Sequence, residues 1–204
     1  MIAALLVAMA LAQPVPSPET GEGARSAGEG ALSNPAVTPM RSQMHEYFDG
    51  EWTEAYFWLA GGVPALGVGA GFLAAGNQSF RGASAPLLLF GLIQSVAGIF
   101  LFGRTRGQVH ALDALLDENP RAYAEQETKR LEGVNRGFSW YRPVELAFLG
   151  LGAVLTANGV YPKNDLLVGM GIATMLEAVI MLVFDHFAGD RAELYAARVR
   201  AFAR

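Results

Sequence analysis

The chain has 204 residues, a formal net charge of −4 and no cysteine. Charged residues make up 17% of it and hydrophobic residues 52%, and the mean hydropathy is +0.27. A soluble domain carries about a quarter charged residues, so this composition favours a membrane protein. The absence of cysteine excludes disulfides, thiol catalysis and cysteine-bound metals, and the lack of a basic stripe argues against nucleic-acid binding.

The chain opens with an apolar stretch, residues 1–12, whose last residues have the small-x-small form of a signal-peptidase site. Two interpretations are open: a cleaved signal peptide, which this ending favours, and an uncleaved apolar N-terminus, which the short length and the lack of a preceding Lys or Arg favour. Residues 13–43 are rich in Pro, Gly, Ser and Glu and contain no aromatic side chain. They are predicted to be disordered, because they cannot bury enough apolar surface to offset their ordering entropy.

Residues 44–58, MHEYFDGEWTEAYFW, contain six aromatic side chains. Trp and Tyr favour the headgroup layer of a bilayer, where an apolar ring and a polar tip are both satisfied. We therefore predict an interfacial anchor, and the alternative is a ligand-binding aromatic cluster. The predicted anchor residues are Trp52, Tyr56 and Trp58, together with Trp140 and Tyr141 further along the chain.

Four stretches are nearly free of charge and close to the ~20 residues that a helix needs to cross a ~30 Å hydrocarbon core. Four such stretches in one short chain predict four transmembrane helices. Their predicted bounds are about 55–76, 83–103, 143–161 and 166–184. The only charged residues within them are Glu145 and Glu177.

Apolar side chains recur at helical spacing after the second and the fourth span. They are Val109, Leu112 and Leu116 in one segment and Tyr195, Val199 and Phe202 in the other. The amphipathic segments are 104–133 and 190–202, and we expect the helices at 104–117 and 190–202 to lie flat on one membrane surface. Within the first of them, Asn119 followed by Pro120 predicts the start of a new helix, which is expected to end near Gly133.

The first and third spans contain similar runs, LGVGAGFLAAG at 66–76 and LGLGAVLTANG at 149–159. Their ungapped alignment gives an offset of 83, which is 149 minus 66. With an amphipathic segment after each pair of spans, the offset predicts two units, 44–136 and 137–204. Units of two spans begin and end on the same side, so they are parallel repeats. The alternative is a chance likeness among Gly- and Ala-rich helices, whose small residues favour close packing in lipid.

The predicted fold is therefore an all-α integral membrane protein. Its four transmembrane helices form two parallel two-helix repeats, each followed by an amphipathic surface helix. We expect a multi-pass protein of a bacterial inner membrane. Its orientation is open, because the excess of arginine beside the long segments places that side in the cytoplasm, whereas a cleaved signal places it outside.

Polar groups at membrane depth are the candidates for chemistry, because an ionisable residue is costly there. Glu177 lies deep in the fourth span, and the offset of 83 pairs it with Gln94. The carboxyl either is a proton or substrate site or makes an interhelical hydrogen bond. Glu145 follows Pro143 by two positions and is predicted to lie in the first helical turn, where its charge suits the helix dipole.

Arg142 and Asp185 lie at span ends on the same side and are predicted to form an interfacial ion pair. No catalytic motif, phosphate loop or metal-ligand spacing occurs, so we predict no enzyme activity, metal or cofactor. The leading hypothesis is a non-enzymatic packing or partner-binding module. Its expected partners are the lipid bilayer and a second copy or another membrane protein, and not nucleic acid. The alternative is a small oligomeric transporter or channel that uses Glu177.

Overall fold

The structure, a computed structural model, describes residues 35–204, and nearly all of them are helical. The four helices are α1 Val37–Ala74, α2 Gln78–Glu118, α3 Pro120–Val160 and α4 Asp165–Phe202. The predictions for residues 1–12 and 13–34 lie outside the described residues. The last part of the segment predicted to be disordered is helical, because α1 begins at Val37 and Met40 is buried against the other helices.

Each helix is long and apolar enough to cross a membrane. The shorter ones have 38 residues, which at 1.5 Å per residue gives about 57 Å, almost twice the hydrocarbon thickness. Each helix therefore has a part that fits the bilayer and a part that extends beyond it. We call residues 55–74, 78–103, 141–160 and 165–184 the membrane half, and residues 37–54, 104–118, 120–140 and 185–202 the outer half.

The exposed side chains agree with this division. Apart from Leu194, the large exposed apolar side chains of the described chain lie in or within a few residues of the membrane half. Examples are Val68, Leu92, Val154 and Leu176. A continuous apolar belt of this kind is rare on soluble proteins, whereas lipid solvates it.

The outer half has its own apolar core, to which all four helices contribute. Its large members are Met40, Met44, Tyr47, Phe48, Leu112, Leu116, Tyr123, Leu131, Tyr195 and Val199. The spacing of Leu112 and Leu116, and that of Tyr195 and Val199, indicated apolar helix faces in the sequence. These faces are covered by neighbouring helices and not by lipid.

The expectation that the helices at 104–117 and 190–202 lie flat on the membrane is therefore wrong. Residues 104–118 continue α2 and residues 190–202 continue α4, so both extend the bundle away from the bilayer. Asn119 does cap a new helix, since its side chain accepts a hydrogen bond from the Ala122 N–H at 3.0 Å, and Pro120 follows at the first helical position. That helix does not end at Gly133, because one glycine costs only about 1 kcal/mol and the buried core outweighs it.

The third span also does not begin at Pro143, which lies inside α3. Pro64 and Pro86 are likewise inside helices of the membrane half. Such prolines are tolerated because neighbouring helices and local adjustments satisfy the freed backbone groups. Helix continuity across the predicted boundaries is thus set by tertiary packing and not by local helix-breaking residues.

The helices form two hairpins, α1 with α2 and α3 with α4, and the hairpins meet chiefly through α2 and α4. At this crossing a side chain on Gly82 would collide with the carbonyl of Leu166, and one on Gly169 would collide with the carbonyl of Ser79. The two contacts are related by one offset, because Gly169 lies 87 residues after Gly82 and Leu166 lies 87 residues after Ser79. Glycine is needed here since only hydrogen fits between the backbones.

We predict that Leu116→Ala lowers the free energy of unfolding by about 2–5 kcal/mol, because Leu116 is fully buried in the core of the outer half. The matched control is Leu194→Ala, whose side chain is exposed, and its expected effect is within about 0.5 kcal/mol. Reversible unfolding in detergent micelles measures both. Equal effects of the two substitutions would contradict a packed core outside the membrane.

Candidate functional site

A cavity of about 190 Å³ lies where the membrane half meets the outer half, and all four helices line it. Its walls are mostly apolar. The aromatic residues on the walls include Trp58, Phe100, Phe138 and Tyr141. A protein cavity of about 150 Å³ holds benzene, so this space suits a molecule with about one aromatic ring.

Four acidic side chains and two arginines also line the cavity: Glu51, Glu54, Glu145, Asp185, Arg104 and Arg191. Two of the acids are paired with the arginines. Arg191 forms a close ion pair with Glu54, and Arg104 Nη2 lies 3.7 Å from Glu51 Oε2. Among residues 35–204, four acids and two arginines line the cavity, so this part of the lining carries an excess of negative charge. The acids without an arginine are Glu145 and Asp185.

The paired acids are held by neutral donors as well. The Tyr47 hydroxyl donates to Glu51 Oε1 at 2.7 Å, and Trp58 Nε1 donates to Glu54 Oε1 at 3.2 Å. Burial raises the pKa of Tyr47, and the Glu51 carboxylate raises it further, so this hydroxyl stays neutral and remains a donor. Glu51 and Glu54 are therefore fixed parts of the bundle.

Glu145 and Asp185 have a different environment. Glu145 is only 2% exposed, and neither of its carboxyl oxygens receives a hydrogen bond from an N–H or hydroxyl group of residues 35–204. The carboxyl of Asp185 lies within hydrogen-bonding reach of it. Two carboxylates in contact repel each other unless a proton lies between them. We call these two residues the acid pair.

The positions of Glu145 and Asp185 contradict two predictions made from the sequence. Glu145 does not lie in a first helical turn, because α3 begins at Pro120 and passes through Pro143. Arg142 and Asp185 form no ion pair within residues 35–204. Arg142 is exposed, so its guanidinium can reach water, while the Asp185 carboxyl lies beside that of Glu145 on the cavity wall.

The predicted aromatic anchor divides into two groups. Tyr56 and Trp140 are exposed at the boundary, as an interfacial anchor requires, and Trp52 packs on Phe102 beneath the guanidinium of Arg106, 4.7 Å from its ring. Trp58 is buried and Tyr141 is half-buried, and both line the cavity. For these two residues the geometry favours the alternative, a ligand-binding aromatic cluster.

The structure brings Gln94 and Glu177 together. Gln94 Nε2 donates to Glu177 Oε2 at 2.6 Å, and the two residues are 2% and 4% exposed. Neither is among the described residues that line the cavity. An amide and a carboxyl that satisfy each other between helices favour the packing role over the transport role.

A second polar cluster, in the outer half, was missed from the sequence. Arg130 donates to both carboxyl oxygens of Glu127, from Nε at 2.9 and 3.1 Å and from Nη2 at 2.9 Å, and Glu127 is fully buried. Burial alone lowers the pKa of Arg130, but Glu127, Tyr47 and Glu51 together outweigh it and raise that pKa. The sequence could have indicated this cluster through the four-residue spacing of Tyr123, Glu127 and Leu131, which places an acid on an apolar helix face.

The fold is that of an α-helical protein with four helices able to span a membrane. No protein family, curated protein or solved structure matches the chain.

We predict that Gln94→Leu and Glu177→Leu each destabilise the bundle, because each leaves one buried polar group without its partner. The double variant should lose less than the sum of the two, with a coupling free energy of about 0.6–2 kcal/mol. Glu177→Gln keeps a hydrogen bond and should unfold close to the wild type. Strictly additive effects in a double-mutant cycle, measured by reversible unfolding in micelles, would show that the hydrogen bond contributes nothing.

We also predict that Arg130→Ala destabilises the protein by about 3–5 kcal/mol, because it leaves the buried Glu127 carboxylate without a counter-charge. The control is Arg121→Ala, which removes an ion pair to Glu125 from a side chain that is 90% exposed. Its expected effect is below about 1 kcal/mol. A loss of similar size for both arginines in thermal or chemical unfolding is the result that would refute this assignment.

Proposed function

We propose that the protein is a non-enzymatic binding module of a bacterial membrane and that its cavity holds a small cationic ligand. The acid pair carries this proposal. Its carboxyl groups line a cavity, Glu145 is buried, and both arginines of the lining are already paired with other acids. Ionisable groups at this depth are costly and are retained where they have a function.

A bound cation would supply the counter-charge that the lining lacks. The rings of Trp58, Phe100, Phe138 and Tyr141 would add cation–π attraction, which is stronger in a desolvated site than at an exposed one. A neutral or anionic ligand would leave the acid pair uncompensated. The charge of the lining and its aromatic composition therefore favour the same class of ligand.

We also propose that the two hairpins are a parallel repeat, with an offset of 83 between α1 and α3 and of 87 between α2 and α4. Support comes from matched contacts. Gly69 packs on Leu88 and Gly152 packs on Met175, where 152 minus 69 is 83 and 175 minus 88 is 87. The four extra residues fall near the α3–α4 connection. In this register Gln94 corresponds to Met181 and not to Glu177, so the hydrogen-bonded pair are not repeat mates.

The cavity lies where the proposed repeat is least symmetric. Ala97 on its wall corresponds to Phe184, by the offset of 87, and Phe184 packs against Phe57 and Trp58. Gly137 on its wall corresponds to Glu54, by the offset of 83. The small side chains at positions 97 and 137 thus leave space that the larger side chains at the corresponding positions would fill.

Transport through Glu177 has less support. Its carboxyl is held by Gln94, and neither residue is among the described cavity-lining residues. A binding role at the boundary needs only the groups that already face the cavity.

We predict that purified protein in nanodiscs binds benzylammonium and does not bind benzoate or benzyl alcohol, which share its ring but not its charge. Ala97→Phe should fill the cavity and weaken binding at least tenfold, a loss of about 1.4 kcal/mol. The matched control, Ala70→Phe on the exposed face of α1, should bind as the wild type does. Isothermal titration calorimetry measures all of these. Equal binding of benzoate, or failure of benzylammonium, sodium and calcium alike, would contradict a cation site.

A further inference from the structure

We propose that the ligand is a primary ammonium ion on an apolar group of about one aromatic ring, and that it binds in exchange for one proton held between Glu145 and Asp185. This inference rests on the proposed function. It specifies the class of ligand, and it links binding of that ligand to the release of a proton from the acid pair.

The size and lining of the cavity favour an organic ammonium over a metal ion. The space of about 190 Å³ is much larger than a bare ion, and its remaining walls are apolar. The apolar wall residues include Ile93, Phe100, Val134, Phe138, Val144 and Met181. Residues 35–204 contain no group of three or more His, Cys, Asp or Glu side chains placed to hold a metal. Calcium takes about 6–8 oxygen ligands, more than two carboxyl groups supply.

A primary ammonium matches the acid pair in charge and in hydrogen bonding. It has three N–H donors and no acceptor, and the two Glu145 carboxyl oxygens receive no hydrogen bond from an N–H or hydroxyl group of residues 35–204. The apolar part of the ligand would then occupy the aromatic part of the cavity. A quaternary ammonium has no donor and would leave these oxygens unsatisfied.

The described neighbours of the acid pair do not neutralise it. Among residues 35–204, the other charged and titratable groups that line the cavity are Tyr47, Glu51 and Glu54 on α1, Arg104 on α2, Tyr141 on α3 and Arg191 on α4. Both arginines are paired with the two α1 acids. Contact between the buried Glu145 carboxyl and the half-buried Asp185 carboxyl is favourable only when one proton is shared, so the pair without a ligand carries one negative charge.

Binding then exchanges one positive charge for another. The shared proton leaves to solvent, both carboxyl groups become carboxylates, and the ammonium ion takes the position between them, so that charge and protons balance. Binding therefore strengthens as pH rises, because the proton competes with the amine. The gain ends where the free amine loses its own proton, near the pKa of about 10.4 of an alkylamine such as lysine.

The acid pair is not required by helix packing. In the proposed repeat Glu145 corresponds to Gly62, and Asp185 corresponds to Gly98, by the offsets of 83 and 87. Gly62 packs against the backbone of Gly91 and Ser95, and Gly98 packs against Leu59 and Ala55, so these positions in the first unit bring the helices close together. The second unit has carboxyl groups at the same places, on the wall of a cavity.

The test is calorimetry of benzylammonium chloride binding to the full chain in nanodiscs at pH 7, in buffers with different enthalpies of ionisation. We expect release of about one proton per amine bound. We also expect the dissociation constant to fall by up to tenfold per pH unit between pH 6 and 8. Tetramethylammonium should bind at least tenfold more weakly than benzylammonium.

Variants separate the acid pair from its surroundings. Asp185→Asn and Glu145→Gln each remove the acid with which the remaining carboxyl shares a proton, so proton release per amine bound should fall below the wild-type value. The double variant should lose binding while keeping the wild-type helical circular dichroism, because the amides have nearly the same shape. Asp190→Asn, which changes an exposed acid of α4, should keep both binding and proton release.

Different results overturn different parts of the proposal. Binding of benzylammonium without proton release would overturn the exchange and leave the proposed cation site standing. Tighter binding of calcium than of benzylammonium would overturn the ligand class. Proton release that stays at the wild-type value in both single variants would assign the proton to other groups. Failure of all cations to bind would overturn the proposed function and this inference together.

Discussion

Each helix continues from the lipid region into the outer half, and this continuity constrains the whole bundle. The same four helices must pack their interior in two solvents. In lipid there is no hydrophobic drive between helices, so glycines such as Gly82 and Gly169 let the backbones touch. In the outer half water supplies that drive, and side chains as large as Phe48 and Tyr195 fill the core. Helix spacing set by glycine at one level must therefore accommodate large side chains at the next.

The cavity lies at the level where these two kinds of packing meet. There the interior is neither as closely packed as the glycine contacts nor filled by the outer core. It is also the level at which arginine and glutamate side chains can be buried as pairs, as Arg191 and Glu54 are, while the outer half remains in water. A change in the packing of α2 against α3 at this level would alter both the volume of the cavity and the charges that face it.

Buried acids in this bundle are compensated in three different ways. Glu177 is held by the amide of Gln94, and Glu127 is held by the guanidinium of Arg130. Within residues 35–204, Glu145 has another acid, Asp185, as its polar neighbour, and it lines a cavity. In the first two arrangements another side chain of the bundle satisfies the carboxyl, so a structural role accounts for the acid. In the third arrangement the carboxyl oxygens still need hydrogen-bond donors and a counter-charge, which a ligand can supply. This difference, and no sequence motif, distinguishes a binding site from packing.

The sequence by itself determined the four apolar helices, the cap at Asn119 and the deep polar candidates Glu177 and Gln94, because helix length, capping and hydropathy are local properties of the chain. It also predicted helix faces at Leu112, Leu116, Tyr195 and Val199, but not what covers them. Only the tertiary structure decided that α2 and α3 continue past their predicted limits, and that Asp185 meets Glu145 instead of Arg142. Those outcomes depend on the distance and rotation between helices. These are set by backbone contacts at a few glycines, which no local pattern along one helix encodes.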